Sequence, residues 1–261
     1  MQGSAALNVT LDRVAQDLAR ARRVLFITGA GLSADSGLPT YRGVGGLYEG
    51  MATAEGMPIE TVLSGLMFQR RPELTWKYLR EVEAACRAAT CNAGHRMIAR
   101  LERKLEKVVV LTQNVDGFHH AAGSSHVIDI HGDLHELYCT ACSRTRIVGS
   151  YASLPALPAL PRCRCGGLER PRVVLFGESL AEDKMSTLIA ELSRGFDMVI
   201  SVGTSGLFPY IRLPMIRAKV YGWPSVDINP SHNALTSHAR DHLPLRAAEA
   251  CEALWQRLEQ S

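Results

Sequence analysis

Short, largely apolar segments that each run into a polar loop constrain this chain most. Val24–Ile27 leads into Thr28-Gly29-Ala30-Gly31, Val108–Leu111 into Thr112-Gln113-Asn114, and Val127–Ile130 into His131-Gly132. Such segments suit strands buried on both faces; a bilayer span needs about 20 apolar residues, and no run approaches that. Leu7–Arg23, Pro72–Arg87 and Ala93–Lys104 carry helical spacing between them. Arg172–Phe176, Met198–Val202 and Ser225–Ile228 read as further strands, with Asp183–Arg194 a helix in the same alternation. Buried strands alternating with helices imply an α/β fold built on a doubly wound parallel sheet. Sheets of that kind bind ligands beyond the carboxyl ends of their strands, where the polar loops lie. Residues 43–66 hold many glycines and methionines without a sustained period, which predicts a long irregular or weakly helical stretch, of a length that suits a functional loop.

Composition narrows the class. With 46% apolar and 21% charged residues the chain has the makings of a core, which excludes a disordered protein. Its 261 residues suit one domain of roughly 150–200 residues carrying a smaller module. A net charge of +3, from 29 basic and 26 acidic residues, is too weak to point to nucleic acid. Met-Gln-Gly-Ser-Ala-Ala-Leu carries no basic, then apolar, export pattern. The expectation is a soluble, cytoplasmic protein with no membrane partner.

Seven cysteines, an odd number without an export signal, argue against a disulfide framework. Four fall into pairs: Cys139-x2-Cys142, then twenty residues, then Cys163-x-Cys165. Two short turns of this kind can close four thiolates around Zn²⁺, leaving no position for water, so the metal would be structural. Between the pairs, Leu154–Pro161 alternates proline with apolar residues, too stiff for a helix or a central strand. Residues 137–170 are therefore expected to form an inserted zinc-ribbon module, with 1–136 and 171–261 making up the Rossmann-like domain.

Gly29-Ala30-Gly31-Leu32-Ser33-Ala34 fits G-x-G-x-x-G/A after a strand, a pattern that allows a tight turn and close backbone approach to a pyrophosphate. The usual sequel, an acidic residue ending a second strand about 20 residues on, is missing, which disfavours an ordinary dehydrogenase. The continuation through Asp35-Ser36-Gly37-Leu38-Pro39-Thr40-Tyr41-Arg42 instead resembles the NAD-binding signature of the sirtuins, the NAD-dependent protein deacylases. Four more segments agree in the family's order. They are Thr112-Gln113-Asn114-Val115-Asp116, His131-Gly132, the cysteine module followed by Phe176-Gly177-Glu178, and Gly203-Thr204-Ser205 with Asn229 beyond. The resemblance spans about residues 20–250.

The resemblance implies that NAD is the co-substrate and that acylated lysine in a protein or peptide is the substrate. It assigns Gly29, Ala30, Gly31, Ser33, Ala34, Asp35, Tyr41, Arg42 and Gln113 to NAD, with Gly203, Thr204, Ser205 and Asn229. Asn114 would position ribose and water, Asp116 the carboxamide, and Arg42 the reacting end. His131 would be the general base, a role that suits its near-neutral intrinsic pKa; His119, His120 and His126 are competing histidines nearby. Val174, Phe176, Gly177 and Glu178 would bind the substrate, whose backbone adds as a strand. The second cysteine pair is one residue shorter than the family's usual spacing, and Tyr41 stands where the family often has phenylalanine. The products would be nicotinamide, free lysine and an O-acyl-ADP-ribose. Transfer of ADP-ribose to protein, hydrolysis of NAD, and a non-catalytic NAD-sensing module remain as alternatives.

Family members that remove acidic acyl groups carry Tyr-x-x-Arg on the helix after the long loop. Here Tyr78 is followed by Glu81; shifting the register puts Leu79 and Val82 at those positions. Either register lacks the arginine, so neutral acyl groups are expected over succinyl or malonyl.

Overall fold

The computed structural model describes residues 2–39 and 53–260. The chain opens with α1 (Gln2–Arg20), β1 (Arg23–Thr28) and the one-turn α2 (Ala30–Ala34). Then come α3 (Ile59–Val62), α4 (Gly65–Arg70), α5 (Pro72–Ala88), α6 (Ala93–Leu101), β2 (Lys107–Thr112), α7 (Phe118–Ala122) and β3 (Val127–Asp129). Three strands follow, β4 (Gly132–Cys139), β5 (Thr145–Ile147) and β6 (Glu169–Val173). The chain closes with α8 (Glu182–Arg194), β7 (Met198–Val202), α9 (Pro209–Tyr221), β8 (Ser225–Ile228), β9 (Asp241–Leu243) and α10 (Ala247–Glu259).

Six strands form a parallel sheet in the order β3-β2-β1-β7-β8-β9. Alternate residues of β1 serve opposite faces, as a pleated strand requires. Val24 and Phe26 join Leu11, Val14 and Leu18 of α1, Ile98 of α6 and Leu254 of α10 in one core. Leu25 and Ile27 join Leu188 and Leu192 of α8 and Ile211 and Met215 of α9 in another. Both faces are covered, so the sheet is doubly wound. Among the described residues no helix is long and apolar enough to cross a membrane.

Several boundaries differ from the sequence reading. The first helix ends at Arg20, not Arg23, because the N–H groups of Arg22 and Arg23 both donate to the Asp197 carboxylate at 2.8 Å and turn the chain into β1. Arg172–Phe176 is not a strand of the parallel sheet. The segment Glu169–Val173 pairs antiparallel with β4 in a three-stranded sheet ordered β5-β4-β6. Pro171 sits there on an edge strand, the position open to a residue without an N–H, beside a register shift between Asp133 and Leu137. Val173 and Leu175 are apolar because they enter a third core with Ile59, Val62, Trp76 and Leu79 of the helices α3 and α5. Trp76 anchors that core, donating from Nε1 to the Glu169 carbonyl at 3.1 Å and meeting the Tyr151 ring edge-on at 5.4 Å. The small sheet thus packs with α3–α5 and extends beyond residues 137–170 at both ends. Of the stretch 43–66, residues 43–52 lie outside the described residues, and the remainder runs through a turn into α3 and the start of α4.

Candidate active site

The sheet order reverses between β1 and β7, so the loops after these strands part to opposite sides and open a crevice. At the bottom of the crevice the two loops touch backbone to backbone. The Gly31 N–H donates to the Gly203 carbonyl at 2.8 Å, and Gly203 has a φ of +61°. A Cβ on Gly203 would lie 2.4 Å from the Leu32 nitrogen; one on Gly31 would lie 2.7 Å from the Gly203 Cα. The glycines of the first motif are therefore needed for this loop–loop approach. Gly203→Ala should destabilise the protein by more than about 2 kcal/mol, through left-handed backbone strain plus the clash. Thermal unfolding checks this, and an unchanged Tm would contradict it.

Above these glycines lies a cavity of about 970 Å³, at the upper end of the range for small-molecule sites. It extends over Gly29, Gln113, His131, Thr204 and Asn229. A second cavity of about 260 Å³, lined by Ser33, Tyr78, Cys86 and Asp116, shares Ala30, Val82, Asn114 and Val115 with the first. Ala34, Asp35, Gly203, Ser205, Val174, Phe176, Gly177 and Glu178 line the larger cavity. Tyr41 and Arg42 lie outside the described residues.

A hydrogen-bond network joins the strand ends. Asn114 Nδ2 donates to the Gly29 carbonyl and to Ser33 Oγ, both at 3.0 Å, and Ser33 Oγ donates to Asp116 at 2.6 Å. The other Asp116 oxygen accepts from the Phe118 N–H at 2.9 Å. Burial pushes the Asp116 carboxyl above its ordinary pKa, with these two donors pulling the other way. Each oxygen keeps a second lone pair for an incoming N–H. Gln113 donates to Thr204 Oγ1 at 2.7 Å, and Asn229 Nδ2 to the Thr204 carbonyl at 3.3 Å, so both amides hold the loop after β7.

Of nine histidines, His131 and His232 line the larger cavity. His131 Nδ1 lies 3.0 Å from the Gln113 carbonyl, which can only accept, so Nδ1 carries the ring proton and Nε2 carries the lone pair. Burial lowers the His131 pKa, favouring the neutral ring. His119 is buried with Nε2 against the Thr28 hydroxyl at 2.9 Å; His120 and His126 are exposed. The sequence reading missed the partner of His131 Nε2, the Tyr210 hydroxyl at 2.7 Å. Its signal was position: Tyr210 follows Pro209 at the opening of the helix beyond Gly203-Thr204-Ser205.

Two assigned carboxylates are already engaged. Asp35 accepts from Arg246 Nε at 2.7 Å and from the Ala248 N–H at 2.8 Å, pinning the start of α10. Glu178 pairs with the buried Arg170 at 2.6 and 2.9 Å and accepts from the Leu175 N–H at 2.9 Å. It shapes the Phe176-Gly177 turn from within. Phe176 itself bonds through its N–H to the Leu63 carbonyl and through its C=O to the Gly65 N–H.

The four paired cysteines gather at one end of the small sheet, with all sulfurs within 4.8 Å of one another. Cys139–Cys165 and Cys142–Cys163 lie 3.5 and 3.7 Å apart, close to the about 3.8 Å edge of a tetrahedron with Zn–S near 2.3 Å. The short second pair works because the chain wraps tightly: the Gly166 N–H reaches the Cys163 carbonyl and the Cys163 N–H reaches the Gly167 carbonyl, both at 2.9 Å. A Cβ on Gly167 would lie 2.7 Å from the Cys139 sulfur, so a glycine is required there. The Ala141 N–H donates to that sulfur and draws its pKa down to about 7, toward the thiolate a metal needs.

A model of the Sir2 family matches residues 29–208. An NAD-dependent protein deacylase 2 of Pseudomonas aeruginosa is 50% identical over 239 residues, covering 90% of this chain and 92% of that one. A solved Sir2 homologue–NAD complex superposes with a TM-score of 0.84 at 34% identity, covering 95% of this chain and 93% of that one. A Sir2–p53 peptide–NAD⁺ complex does so with a TM-score of 0.80 at 28% identity, covering 95% and 98%. With its sheet order, its crevice at β1 and β7 and its four-cysteine cluster, the chain belongs to the Sir2 family.

Proposed function

We propose that this chain is an NAD-dependent protein-lysine deacylase that prefers neutral acyl groups. The observation that supports it is the meeting, at one pair of joined cavities, of a cavity-lining neutral histidine, its Nε2 bonded to the Tyr210 hydroxyl, with the Ser33–Asn114–Asp116 network. NAD, as co-substrate, brings an electrophilic ribose carbon with nicotinamide as its leaving group. Asp116, buried beside the smaller cavity, accepts from the carboxamide NH₂, and Asn114 at the junction of the cavities orients the ribose. The acyl-lysine oxygen displaces nicotinamide, and His131 then takes the proton of a ribose hydroxyl that attacks the acyl carbon; water adds to that carbon and its bond to the lysine nitrogen breaks, which frees lysine and leaves the acyl group on the ribose. The peptide runs beside Gly177, whose φ of +81° turns the loop along the cavity wall. Zinc, held by Cys139, Cys142, Cys163 and Cys165, is structural, because four sulfurs leave no open position.

Acyl preference follows from the register of α5. Leu79 and Val82 line the larger cavity with Leu63, Leu134 and Leu175, whereas Tyr78 and Glu81 line the smaller one. Arg80 is turned away, bonded to the carbonyls of Tyr151 and Pro155. Among the described lining residues the one guanidinium is Arg246, and it is paired with Asp35. A distal carboxylate finds no unpaired guanidinium among the described lining residues, and burying it without one costs several kcal/mol or raises its pKa. Acetyl-lysine peptides should therefore be processed at least about tenfold more efficiently than succinyl-lysine peptides of the same sequence, since a 1.4 kcal/mol difference is already tenfold. Measuring kcat/KM on the matched pair, with mass detection of the products, tests both points. A tenfold succinyl preference would overturn the acyl assignment; NAD left intact with every peptide would overturn the deacylase reading.

A further inference from the structure

His131 Nδ1 spends its proton on the Gln113 carbonyl, so Nε2 is the only basic nitrogen this ring offers to the cavity. That nitrogen has one lone pair, and it is already taken by the Tyr210 hydroxyl at 2.7 Å. Tyr210 is held in place from two sides. It sits in the first turn of α9, and its ring stacks on Phe208 at 5.4 Å and 13°. Both rings present themselves edge-on to the imidazole, with centroids at 5.8 and 6.0 Å. Phe208 and Tyr210 both line the same cavity as His131. A phenolic oxygen that donates to Nε2 still has acceptor capacity for a second hydroxyl. Burial pushes the Tyr210 hydroxyl up to about 12, so it stays protonated and is itself no base near neutral pH.

We infer that Tyr210 is the relay through which the ribose hydroxyl passes its proton to His131. The inference rests on the deacylase reading above and adds a residue to it. The ribose O–H bond breaks as its proton bonds to the Tyr210 oxygen, and the proton already on that oxygen moves to His131 Nε2. The ribose oxygen attacks the acyl carbon, His131 is left as imidazolium, and Tyr210 ends as it began.

Tyr210→Phe keeps the stacked ring and removes only the hydroxyl. Three measurements on the full chain test the inference. Nicotinamide–NAD exchange, which precedes the base step, should stay within about twofold of wild type. O-acyl-ADP-ribose formation should fall about tenfold or more, within the range for a lost proton-transfer group, and its proton inventory in mixed H₂O/D₂O should change from curved to linear. In the ligand-free protein the ¹⁵N resonance of His131 Nε2 should move toward that of an imidazole nitrogen with a free lone pair. Product formation that is unchanged or faster would overturn the relay, since His131 would then be served directly. So would an equal fall in exchange and product formation, the mark of a merely structural role, or an unmoved Nε2 resonance. If wild-type protein makes no O-acyl-ADP-ribose at all, the deacylase reading fails instead, and the resonance still reports the Tyr210 contact.

Discussion

Replacing His131 with alanine should lower formation of O-acyl-ADP-ribose by about 10²–10⁴-fold, the usual contribution of a positioned general base, while nicotinamide–NAD exchange continues. The ring sits over the ends of β2 and β3 and is held by one backbone carbonyl and one hydroxyl, so its loss leaves the sheet core intact. The thermal transition should move little. Rapid-quench measurement of exchange and product formation on one preparation separates the two steps. Near-wild-type deacylation by the alanine variant would mean that the base is elsewhere. The pH dependence carries a further sign. Burial holds the His131 pKa below its ordinary 6.5, so the neutral, proton-accepting ring persists below that pH. The acidic limb of kcat/KM should therefore fall below pH 6.5, and a limb above 6.5 would contradict a buried, neutral base.

Removing the metal should have an equally large effect, on stability. Structural zinc in zinc-finger peptides binds with about 10–16 kcal/mol of apparent free energy, as much as the whole folding stability of an ordinary domain. The cysteine cluster is tied to the rest of the lobe through Glu169. Its carboxylate pairs with Arg146 at 2.6 Å and its carbonyl accepts from Trp76, the anchor of α5. Loss of zinc should loosen the small sheet and then α5, which carries Leu79 and Val82. Purified protein should contain about one zinc per chain. A strong chelator, or Cys163→Ala, should lower the Tm and abolish deacylation together. Well under one equivalent of zinc, with a Tm unmoved by chelation, would contradict a structural metal.

The parallel core was legible because Val24–Ile27 and Val108–Leu111 are apolar throughout, a pattern that only burial on both faces explains. The edge strand β9 was not. Asp241-His242-Leu243 is too short and polar to show a pattern, and Asp241 is buried there beneath Arg13 and Arg240. The segment Val173-Val174-Leu175 misled because its apolar residues serve a second core, and the partner helix Pro72–Ala88 lies about a hundred residues away in the chain. Motifs at strand ends gave most of the candidate site, since the fold alone gathers strand ends in one crevice. Tyr210 lies on a helix, where the sequence shows that a face is apolar or mixed and not which cavity it meets; for the same reason the sequence offered two registers for α5, Tyr78 with Glu81 and Leu79 with Val82, without choosing between them. The assigned Asp35 and Glu178 are engaged with Arg246 and Arg170, 211 and 8 residues away in the chain, pairings that no local pattern announces.

The most direct measurement incubates the full chain with NAD and an acetyl-lysine peptide and weighs every product at partial conversion. Deacylation by the proposed route requires nicotinamide, free-lysine peptide and O-acetyl-ADP-ribose in equal amounts, with all three absent when NAD is omitted. Nicotinamide released with the peptide still acetylated, and ADP-ribose either free or attached to protein, would contradict it.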